Sequence, residues 1–215
     1  VIDCTLGDAG HAEAILKRTA PNGHLLGIDA DPESIMRAKN YLYDYQRRVI
    51  FVRDNFVKLT DIVQKNEFAP VHGILLDLGW SSPQFEERRR GFSFLKPDEP
   101  LDMRYNSGGD SSAAASIVNS ATEAELIRIF REYGEESLAA EIAAEIIEQR
   151  QKNKIETVKD LVGIILEVYR RKLKSKKDVP WVGGLHPATK VFQALRIAVN
   201  DELGVLERVL PQIVG

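Results

Sequence analysis

The fold is decided by the opening stretch Val1-Ile-Asp-Cys-Thr-Leu-Gly-Asp-Ala-Gly-His11 and by Leu25-Leu-Gly-Ile-Asp29, which follows it. An apolar strand runs into a glycine turn that opens a helix, and a second apolar strand ends in a carboxylate about twenty residues after that turn. This order is typical of a nucleotide-type cofactor held across the carboxyl ends of two parallel strands. The glycines let the backbone approach the ligand, and Asp29 is placed to accept hydrogen bonds from both ribose hydroxyls.

The spacing of the glycines narrows the class of cofactor. Gly7-Asp-Ala-Gly10 reads G-x-x-G, and no third glycine follows at the position where a dinucleotide-binding fold packs its helix against the sheet. We therefore expect a smaller adenosyl ligand rather than a pyrophosphate. This disfavours a nicotinamide dehydrogenase of the same fold, and equilibrium binding of the two cofactors would separate the hypotheses.

Short apolar runs and helical patterns alternate up to residue 77. The predicted strands are continuously apolar, as expected when helices cover both faces of a parallel sheet. The strands lie at residues 1–4, 24–29, 48–53 and 71–77, and the helical patterns lie at residues 12–18, 32–42 and 57–65. The fold class is therefore α/β, with a doubly wound, mainly parallel sheet.

Polar side chains follow each predicted strand: Asp3 and Thr5, Asp29, Asp54 with Asn55, and Asp77. Ligands of open α/β sheets bind outside the carboxyl edge, so we expect these side chains to converge on one crevice. Any single one of them could instead cap a helix.

The pattern changes after the fourth strand. From residue 81 to about residue 110 the chain is rich in glycine, proline, serine and charge, and such long loops are usually functional. Helices resume at Thr122 and at Thr157, each of which opens a capping-box sequence, and another begins at His186-Pro187. We expect a core formed by residues 1–104 and 181–215, with residues 105–180 as an inserted all-helical subdomain.

Composition sets broad limits on function and location. The 215 residues are 44% hydrophobic and 28% charged with a net charge of −3, which suits a soluble enzyme and argues against a protein that coats nucleic acid. Cys4 is the only cysteine, so disulfides are excluded and a reducing, cytoplasmic location is expected. No apolar run approaches a membrane span, and no signal peptide is evident. The chain begins without Met, in mid-strand, and we interpret that end as trimmed or fragmentary.

Several longer motifs resemble one protein family. They are Asp77-Leu-Gly79 with Ser81-Ser-Pro-Gln84, Arg90-Gly-Phe-Ser-Phe94, Pro100-Leu-Asp-Met-Arg104, Glu132-Tyr-Gly-Glu135 and His186-Pro-Ala-Thr-Lys-Val-Phe-Gln-Ala-Leu-Arg-Ile-Ala-Val-Asn-Asp-Glu202. Together they cover nearly the whole chain. They closely resemble the bacterial MraW-like family, the small-subunit (16S) rRNA cytosine-N4 methyltransferases.

The resemblance implies a class I, Rossmann-like enzyme that uses S-adenosyl-L-methionine to methylate the N4 amine of a cytidine in small-subunit rRNA. It implies the rRNA or the assembled small ribosomal subunit as partner, no membrane, and an oligomeric state that the sequence leaves open. The implied cofactor contacts are Ala9, Gly10, His11, Asp29, Phe56, Asp77 and Gln84. Asp8 and Trp80 depart from the family pattern. The family continues beyond this chain, so we expect its carboxyl-terminal strands to be missing here.

The residue types can be tested against the chemistry. Cytosine N4 is a poor nucleophile, so the enzyme needs an acceptor that orients the amine and takes up charge. The catalytic candidates are Asp77, Ser81, Ser82 and a carbonyl of the segment that contains Pro83. Carbon-5 methylation would need a thiolate, and Cys4 lies on the wrong strand for it. The histidines show no paired ligand spacing, so no metal ion is expected; they are His11, His24, His72 and His186.

Two features point to contact with RNA. The basic run at residues 170–177 interrupts an otherwise acidic protein, although most charge runs are simply solvated faces. Polar side chains also recur on one face of the helix after His186, and the resemblance favours an RNA role over a plain surface stripe. The substrate candidates are Arg104, Lys172, Lys174, His186, Gln193, Arg196 and Asn200. The aromatic residues Trp80, Phe85, Phe92 and Phe94 either stack on bases or anchor their loop.

Two further functions remain open at the level of sequence. A non-catalytic RNA-binding or ribosome-assembly factor could retain the cofactor pocket, and the mass of the RNA after incubation would identify it. A DNA amino-methyltransferase is disfavoured, because the segment from Asp77 to Gln84 lacks the Asp/Asn-Pro-Pro-aromatic motif of that group.

Overall fold

The computed structural model describes residues 1–78, 89–106 and 112–214. Their contacts divide the chain into two units: Val1–Trp80 with Glu202–Gly215, called the sheet unit, and Ser81–Asp201, called the helical unit. In chain order the elements are β1 (Ile2–Asp3), α1 (Gly10–Arg18), β2 (Leu25–Asp29), α2 (Pro32–Tyr41), β3 (Val49–Arg53), α3 (Leu59–Lys65), β4 (Ile74–Leu75), α4 (Ala114–Ser120), α5 (Glu123–Glu132), α6 (Ala139–Lys152), α7 (Val158–Leu173), α8 (Thr189–Asn200) and α9 (Glu202–Val214). Short 3-10 turns lie at Tyr43–Tyr45 and Phe56–Lys58.

The sheet unit contains a four-stranded sheet in the order β3-β2-β1-β4, and every neighbouring pair is parallel. This confirms the α/β fold class. Ile2 of β1 is in register with Leu26 on one side and with Ile74 on the other. The outermost strand, β4, is shorter than the predicted 71–77 because β1 gives it only a short partner before the chain turns at Thr5.

Helices cover both faces of the sheet because successive side chains of β2 point to opposite sides. Leu25 packs in one apolar cluster with α1 and α2, whereas Leu26 and Ile28 pack in another with α3 and α9. The close approach of Leu6 requires glycine at position 27, because a Cβ on Gly27 would lie 2.9 Å from Leu6 Cδ1. Asp31 caps α2 by accepting a 3.1 Å hydrogen bond from Glu33 N, with Pro32 at the first helical position, as its sequence predicts.

The helical unit is built around one large apolar cluster to which all five of its described helices contribute. Both predicted capping boxes are present. Thr122 and Glu125 exchange hydrogen bonds at the start of α5, and Thr157 and Asp160 do so at the start of α7. These reciprocal bonds satisfy amide groups that the first turn of a helix leaves unpaired.

The boundaries of the units differ from the division drawn from sequence. Helix α8 was expected in the core, but Val191 and Leu195 are fully buried in the same cluster as Leu126 and Phe130 of α5. The helical unit therefore extends to Asp201, which has a positive φ of 49°, and only α9 belongs to the sheet unit. Gln212 of α9 fixes it there by donating a 2.7 Å hydrogen bond to Val57 O. Among the described residues, no helix is long and apolar enough to cross a membrane.

Candidate functional site

The turn after β1 has the open backbone that the glycine spacing predicts. Gly7 and Ala9 both have positive φ values, 51° and 66°, and Ala9 N donates a 2.8 Å hydrogen bond to Leu6 O. Helix α1 then begins at Gly10, where a Cβ would meet no atom within 4 Å. This turn presents backbone rather than side chains at the carboxyl end of β1, which is where a ligand approaches an open α/β sheet.

Asp29 ends β2 beside this turn. Gly7 N donates a 2.9 Å hydrogen bond to Asp29 Oδ2, and Asp31 N donates one of 2.8 Å to Asp29 Oδ1. The carboxylate is thus oriented by backbone groups on both sides. Each carboxylate oxygen can accept two hydrogen bonds, so this orientation leaves the group chemically able to accept ribose hydroxyls.

Asp3 also lies at this edge, at the end of β1, although the cofactor contacts expected from the sequence do not include it. Its side chain is 1% exposed, and Oδ1 accepts a 3.1 Å hydrogen bond from Thr5 N. Its other oxygen, Oδ2, is buried without a hydrogen-bond partner among the described residues, as is Asp8 Oδ1. Burial raises the pKa of Asp3, and the nearby carboxylates of Asp29 and Asp77 raise it too, while the Thr5 amide and His11 lower it.

The groups of S-adenosyl-L-methionine can be compared with these buried oxygens to see whether the ligand fits the carboxyl edge of the sheet. An unpaired buried acceptor costs free energy unless a donor reaches it, and a cationic donor is the strongest partner for a carboxylate. S-adenosyl-L-methionine carries an ammonium group, a positively charged sulfur and two ribose hydroxyls. The ammonium and hydroxyl groups of the ligand can donate hydrogen bonds to Asp3, Asp8 and Asp29, and its positively charged sulfur is attracted to the same carboxylates.

Asp77 lies beside the same turn, as predicted. Its amide donates a 2.8 Å hydrogen bond to Thr5 Oγ1, which ties the end of β4 to the end of β1. Its Oδ2 is 3.7 Å from His11 Nδ1, too long for a hydrogen bond but within the range of an ion pair. The side chains are 49% and 64% exposed, so both can be reached from solvent.

The polar side chains that follow β3 mostly form local hydrogen bonds and ion pairs. Asn55 Oδ1 accepts from Val57 N at 2.9 Å and caps the following turn, and Asp54 forms an ion pair of 2.9 Å with Lys58. Phe56 is half-buried against the apolar cluster of α3 and α9. The structure therefore brings together Ala9, Gly10, His11, Asp29 and Asp77, and it places Phe56 at the end of a neighbouring strand. The predicted Ser81, Ser82, Pro83 and Gln84 lie outside the described residues, as do Trp80 and Phe85.

Cys4 is 1% exposed within β1, and burial raises the pKa of its thiol to about 12. The residue is a small apolar core side chain in the sheet, held as a neutral thiol at neutral pH. A thiolate nucleophile would need the opposite environment, electropositive and accessible. Within the described residues, no group of three or more His, Cys, Asp or Glu side chains could hold a metal ion.

The basic run at residues 170–177 divides into two parts. Arg171 pairs with Glu145 and Lys172 with Glu141, each at 2.7 Å, so α7 is joined to α6 by ion pairs. The exposed Lys174, Lys176 and Lys177 follow the end of α7, and none of them forms a salt bridge with any described residue. Their charges are therefore available to phosphate, whereas the predicted contact Lys172 already faces a carboxylate.

The predicted face of α8 is partly committed to the protein itself. Asn200 Oδ1 accepts from Tyr105 N at 2.8 Å, and its Nδ2 donates to Met103 O and to Arg196 O. Gln193, by contrast, is exposed and donates one 3.2 Å hydrogen bond to Tyr133 O. Asn200 thus fixes the loop before residue 106.

The remaining substrate candidates also lie in the helical unit. Arg104 is oriented by a two-point ion pair with Asp102, at 2.8 and 2.9 Å. His186 is buried and stacks on Phe94, and burial lowers the pKa of its imidazole. Phe92 is 3% exposed, which identifies it as an anchor of its loop.

Comparison with known proteins identifies the family of the chain. Residues 1–215 match the MraW methylase family. Proteins named ribosomal RNA small subunit methyltransferase H are 44% identical in Desulfosudis oleivorans and 43% identical in Clostridium botulinum, over 100% of this chain and 66% of each relative. The protein of that name in Dehalococcoides mccartyi is 45% identical over 98% of this chain and 56% of its own length. The chain thus spans less than two thirds of the length of these curated relatives. Its family is nonetheless shown over its whole length, and the chain belongs to the MraW methylase family.

Proposed function

We propose that this chain binds S-adenosyl-L-methionine and uses it to methylate the N4 amine of a cytidine in small-subunit (16S) rRNA. The observation that carries the proposal is the acidic carboxyl edge of the sheet, where Asp29 is oriented by the glycine turn and Asp3 keeps a buried oxygen without a partner among the described residues. Support also comes from the relatives, which are named as methyltransferases of small-subunit ribosomal RNA. The family and the acidic edge together favour transfer of a methyl group over hydride transfer.

Three parts of the edge would hold the cofactor. Asp29 would accept hydrogen bonds from the ribose, and the buried oxygens of Asp3 and Asp8 would accept from its cationic end. The turn from Gly7 to Gly10 would supply backbone groups close to the ligand. When bound, the cofactor supplies a methyl group on a positively charged sulfur, which carboxylates near it stabilise electrostatically.

Asp77 is the described residue best placed to act on the substrate amine. A hydrogen bond from the amine to a carboxylate orients it and increases the electron density on its nitrogen. The Asp77 backbone is fixed by Thr5, independently of its own side chain, so the carboxylate can face a ligand without losing its position. The Ser81 and Ser82 hydroxyls and the carbonyl next to Pro83 remain proposed acceptors in the segment that follows.

The state of Cys4 favours an amine over a ring carbon as the methyl acceptor. Methylation of cytosine carbon-5 proceeds through a thiolate that adds to the ring. The sole thiol of the chain is buried in β1, and burial raises its pKa to about 12. Direct transfer to an amine needs no such nucleophile.

The experiment is to incubate the chain with the cofactor and unmethylated small ribosomal subunits, digest the rRNA and identify its nucleosides by mass spectrometry. We expect N4-methylcytidine, and less of it with Asp29→Ala or Asp77→Ala under the same conditions. Methylation at carbon-5 would contradict the proposed chemistry. Binding of rRNA and cofactor without any methylated nucleoside would instead support a non-catalytic assembly factor.

A further inference from the structure

A small hairpin stands between the basic run and α8. We call residues 181–186 the Trp181 hairpin. Val182 and Leu185 form an isolated antiparallel bridge, with hydrogen bonds of 3.1 and 2.9 Å between their backbones. Gly183 and Gly184 form the turn with φ values of 57° and 81°, the pair of positive φ angles that a tight two-residue hairpin requires. A Cβ at either glycine would meet nothing within 4 Å, so the tip projects without packing.

The base of the hairpin is anchored by a chain of ring contacts that leads from the core to the surface. Phe192, which is 4% exposed, meets Phe94 edge-on with ring centroids 5.9 Å apart. Phe94 stacks on His186 at 4.4 Å with an interplanar angle of 7°, and His186 meets Trp181 edge-on at 5.5 Å. Since the Ala188 amide donates to His186 Nδ1, the neutral ring carries its proton on Nε2 and its orientation is fixed.

Trp181 ends this chain of rings and is 61% exposed. Large aromatic side chains bury a great deal of apolar area when they can, so an exposed indole on an anchored turn marks a contact surface. Val182 and Leu185 beside it are also exposed, at 43% and 49%. The rings of Trp181 and His186 are nearly perpendicular, at 84°, so His186 covers at most one face of the indole. The other face lies outside that ring contact, and a planar ligand stacks on a face.

The charges next to the hairpin indicate which planar ligand it takes. Lys174, Lys176 and Lys177 lie a few residues before it in the chain and form no salt bridge with any residue that the structure describes. Trp181 is four positions after Lys177, a stretch that spans at most about 14 Å. A polyanion with flat, unstacked groups could bind the lysines through its charges and the indole through a flat group. Single-stranded RNA is such a ligand.

We propose that the Trp181 hairpin is a stacking site for one unpaired nucleobase of the RNA, with Lys174, Lys176 and Lys177 on the flanking phosphates. The inference rests on the proposed function and adds a site to it, because Trp181 was not among the substrate candidates. Stacking on an aromatic face tolerates any base. The hairpin therefore supplies affinity and register, while the choice of target base is made elsewhere.

The first test uses fluorescence. Trp80 and Trp181 are the only tryptophans, so in a Trp80→Phe background the emission reports on Trp181 alone. Titration with a single-stranded oligouridylate should quench this emission, whereas heparin, a polyanion without bases, should bind without quenching it. Binding of the oligonucleotide, followed by its own anisotropy, with no change in Trp181 emission would overturn the inference.

The second test uses substitutions in the full chain. Trp181→Ala should weaken oligonucleotide binding about 5- to 100-fold, and Trp181→Phe should retain most of the affinity. Tyr43→Ala is the matched control, since Tyr43 is 66% exposed but lies in the sheet unit. Equal affinity of Trp181→Ala and the unmodified chain would reject the hairpin while leaving the proposed function intact. Failure of the unmodified chain to bind any RNA would reject both.

Discussion

The amide of Gly7 donates a 2.9 Å hydrogen bond to Oδ2 of Asp29, joining the turn after β1 to the carboxylate that ends β2. The bond links residues on two parallel strands and makes the position of each depend on the other. Because Asp31 N holds the second oxygen at 2.8 Å, the carboxylate has one orientation before any ligand arrives. A preorganised acceptor of this kind binds a ribose without the entropic cost of ordering a side chain.

Replacing this carboxylate should therefore cost affinity for the cofactor. Asp29→Ala removes a charge-assisted pair of hydrogen bonds, and we expect S-adenosyl-L-methionine to bind about 30- to 100-fold more weakly, or roughly 2–3 kcal/mol. Calorimetric titration measures the change. Asp44→Ala, an exposed carboxylate of the same unit, is the control and should bind normally. Unchanged affinity in a folded Asp29→Ala protein would remove Asp29 from the site.

Asp3 should show a conflict between stability and binding. Because burial raises its pKa above the ordinary 3.8, the fold favours the protonated form, and that stabilisation is lost as the pH rises through the raised pKa. Asp3→Asn resembles the protonated form. We expect its melting temperature to match the parent near pH 3.5 and to exceed it by a few degrees near pH 7.

The same substitution should weaken cofactor binding at pH 7, where the ionised carboxylate is needed for a cationic partner. Melting curves and calorimetry at both pH values measure the two effects. A rise in melting temperature with unchanged affinity would show that Asp3 is a strained structural residue with no ligand role.

Local patterns in the sequence predicted most of the sheet unit and the starts of two helices of the helical unit. The apolar run of β2, the Asp31-Pro32 helix start and the reciprocal caps at Thr122 and Thr157 each depend on residues only a few positions apart. Such short-range signals can be read from sequence because hydrogen bonding and hydrophobic periodicity act within one element. The extent of the helical unit was not predicted, since the burial of α8 depends on which distant helices it packs against.

The same distinction between short-range and long-range determinants applies to the residues of the candidate site. The positions of Asp29 and Asp77 follow from the rule that strand ends converge, whereas the unpaired Oδ2 of Asp3 depends on burial by residues far away in the chain. The pairing of Lys172 with Glu141, 31 positions apart, is equally invisible in a run of basic residues. Sequence thus located the charged groups, and the structure divides them into paired and available ones.

That division gives a prediction for the salt dependence of RNA binding. Replacing Lys174, Lys176 and Lys177 with Gln should reduce the slope of log affinity against log salt by about 0.7 for each phosphate that the protein no longer neutralises. Lys172→Gln is the matched control, and its slope should change less because Glu141 already neutralises Lys172. Cofactor affinity should not change in either variant. Equal slopes for the triple variant and the parent would mean that these lysines form only a solvated face.

Substitutions at two residues distinguish direct methyl transfer to an amine from methylation of a ring carbon. Cys4→Ala should keep its single-turnover rate with a small loss of stability, because the thiol is buried and neutral. Asp77→Ala should lose several orders of magnitude in rate, since it removes the proposed acceptor and disturbs the placement of the reactants. A folded Cys4→Ala protein that binds cofactor but transfers no methyl group would overturn direct transfer and indicate carbon methylation.

Asn200 and Gln193 lie on the same helix. Substitutions at these two residues distinguish a role in stabilising the fold from a role in contacting RNA. Asn200→Ala removes the hydrogen bonds that Asn200 makes with Tyr105 N and Met103 O, so we expect a loss of about 1–3 kcal/mol in the free energy of unfolding. Gln193→Ala removes one weak, exposed hydrogen bond and should leave stability unchanged.

Denaturant titration measures stability, and oligonucleotide binding measures the RNA contact. If Gln193→Ala binds RNA as well as the parent, this face of α8 makes no contact there. Any weaker binding by Asn200→Ala would then come from the loop that Asn200 holds.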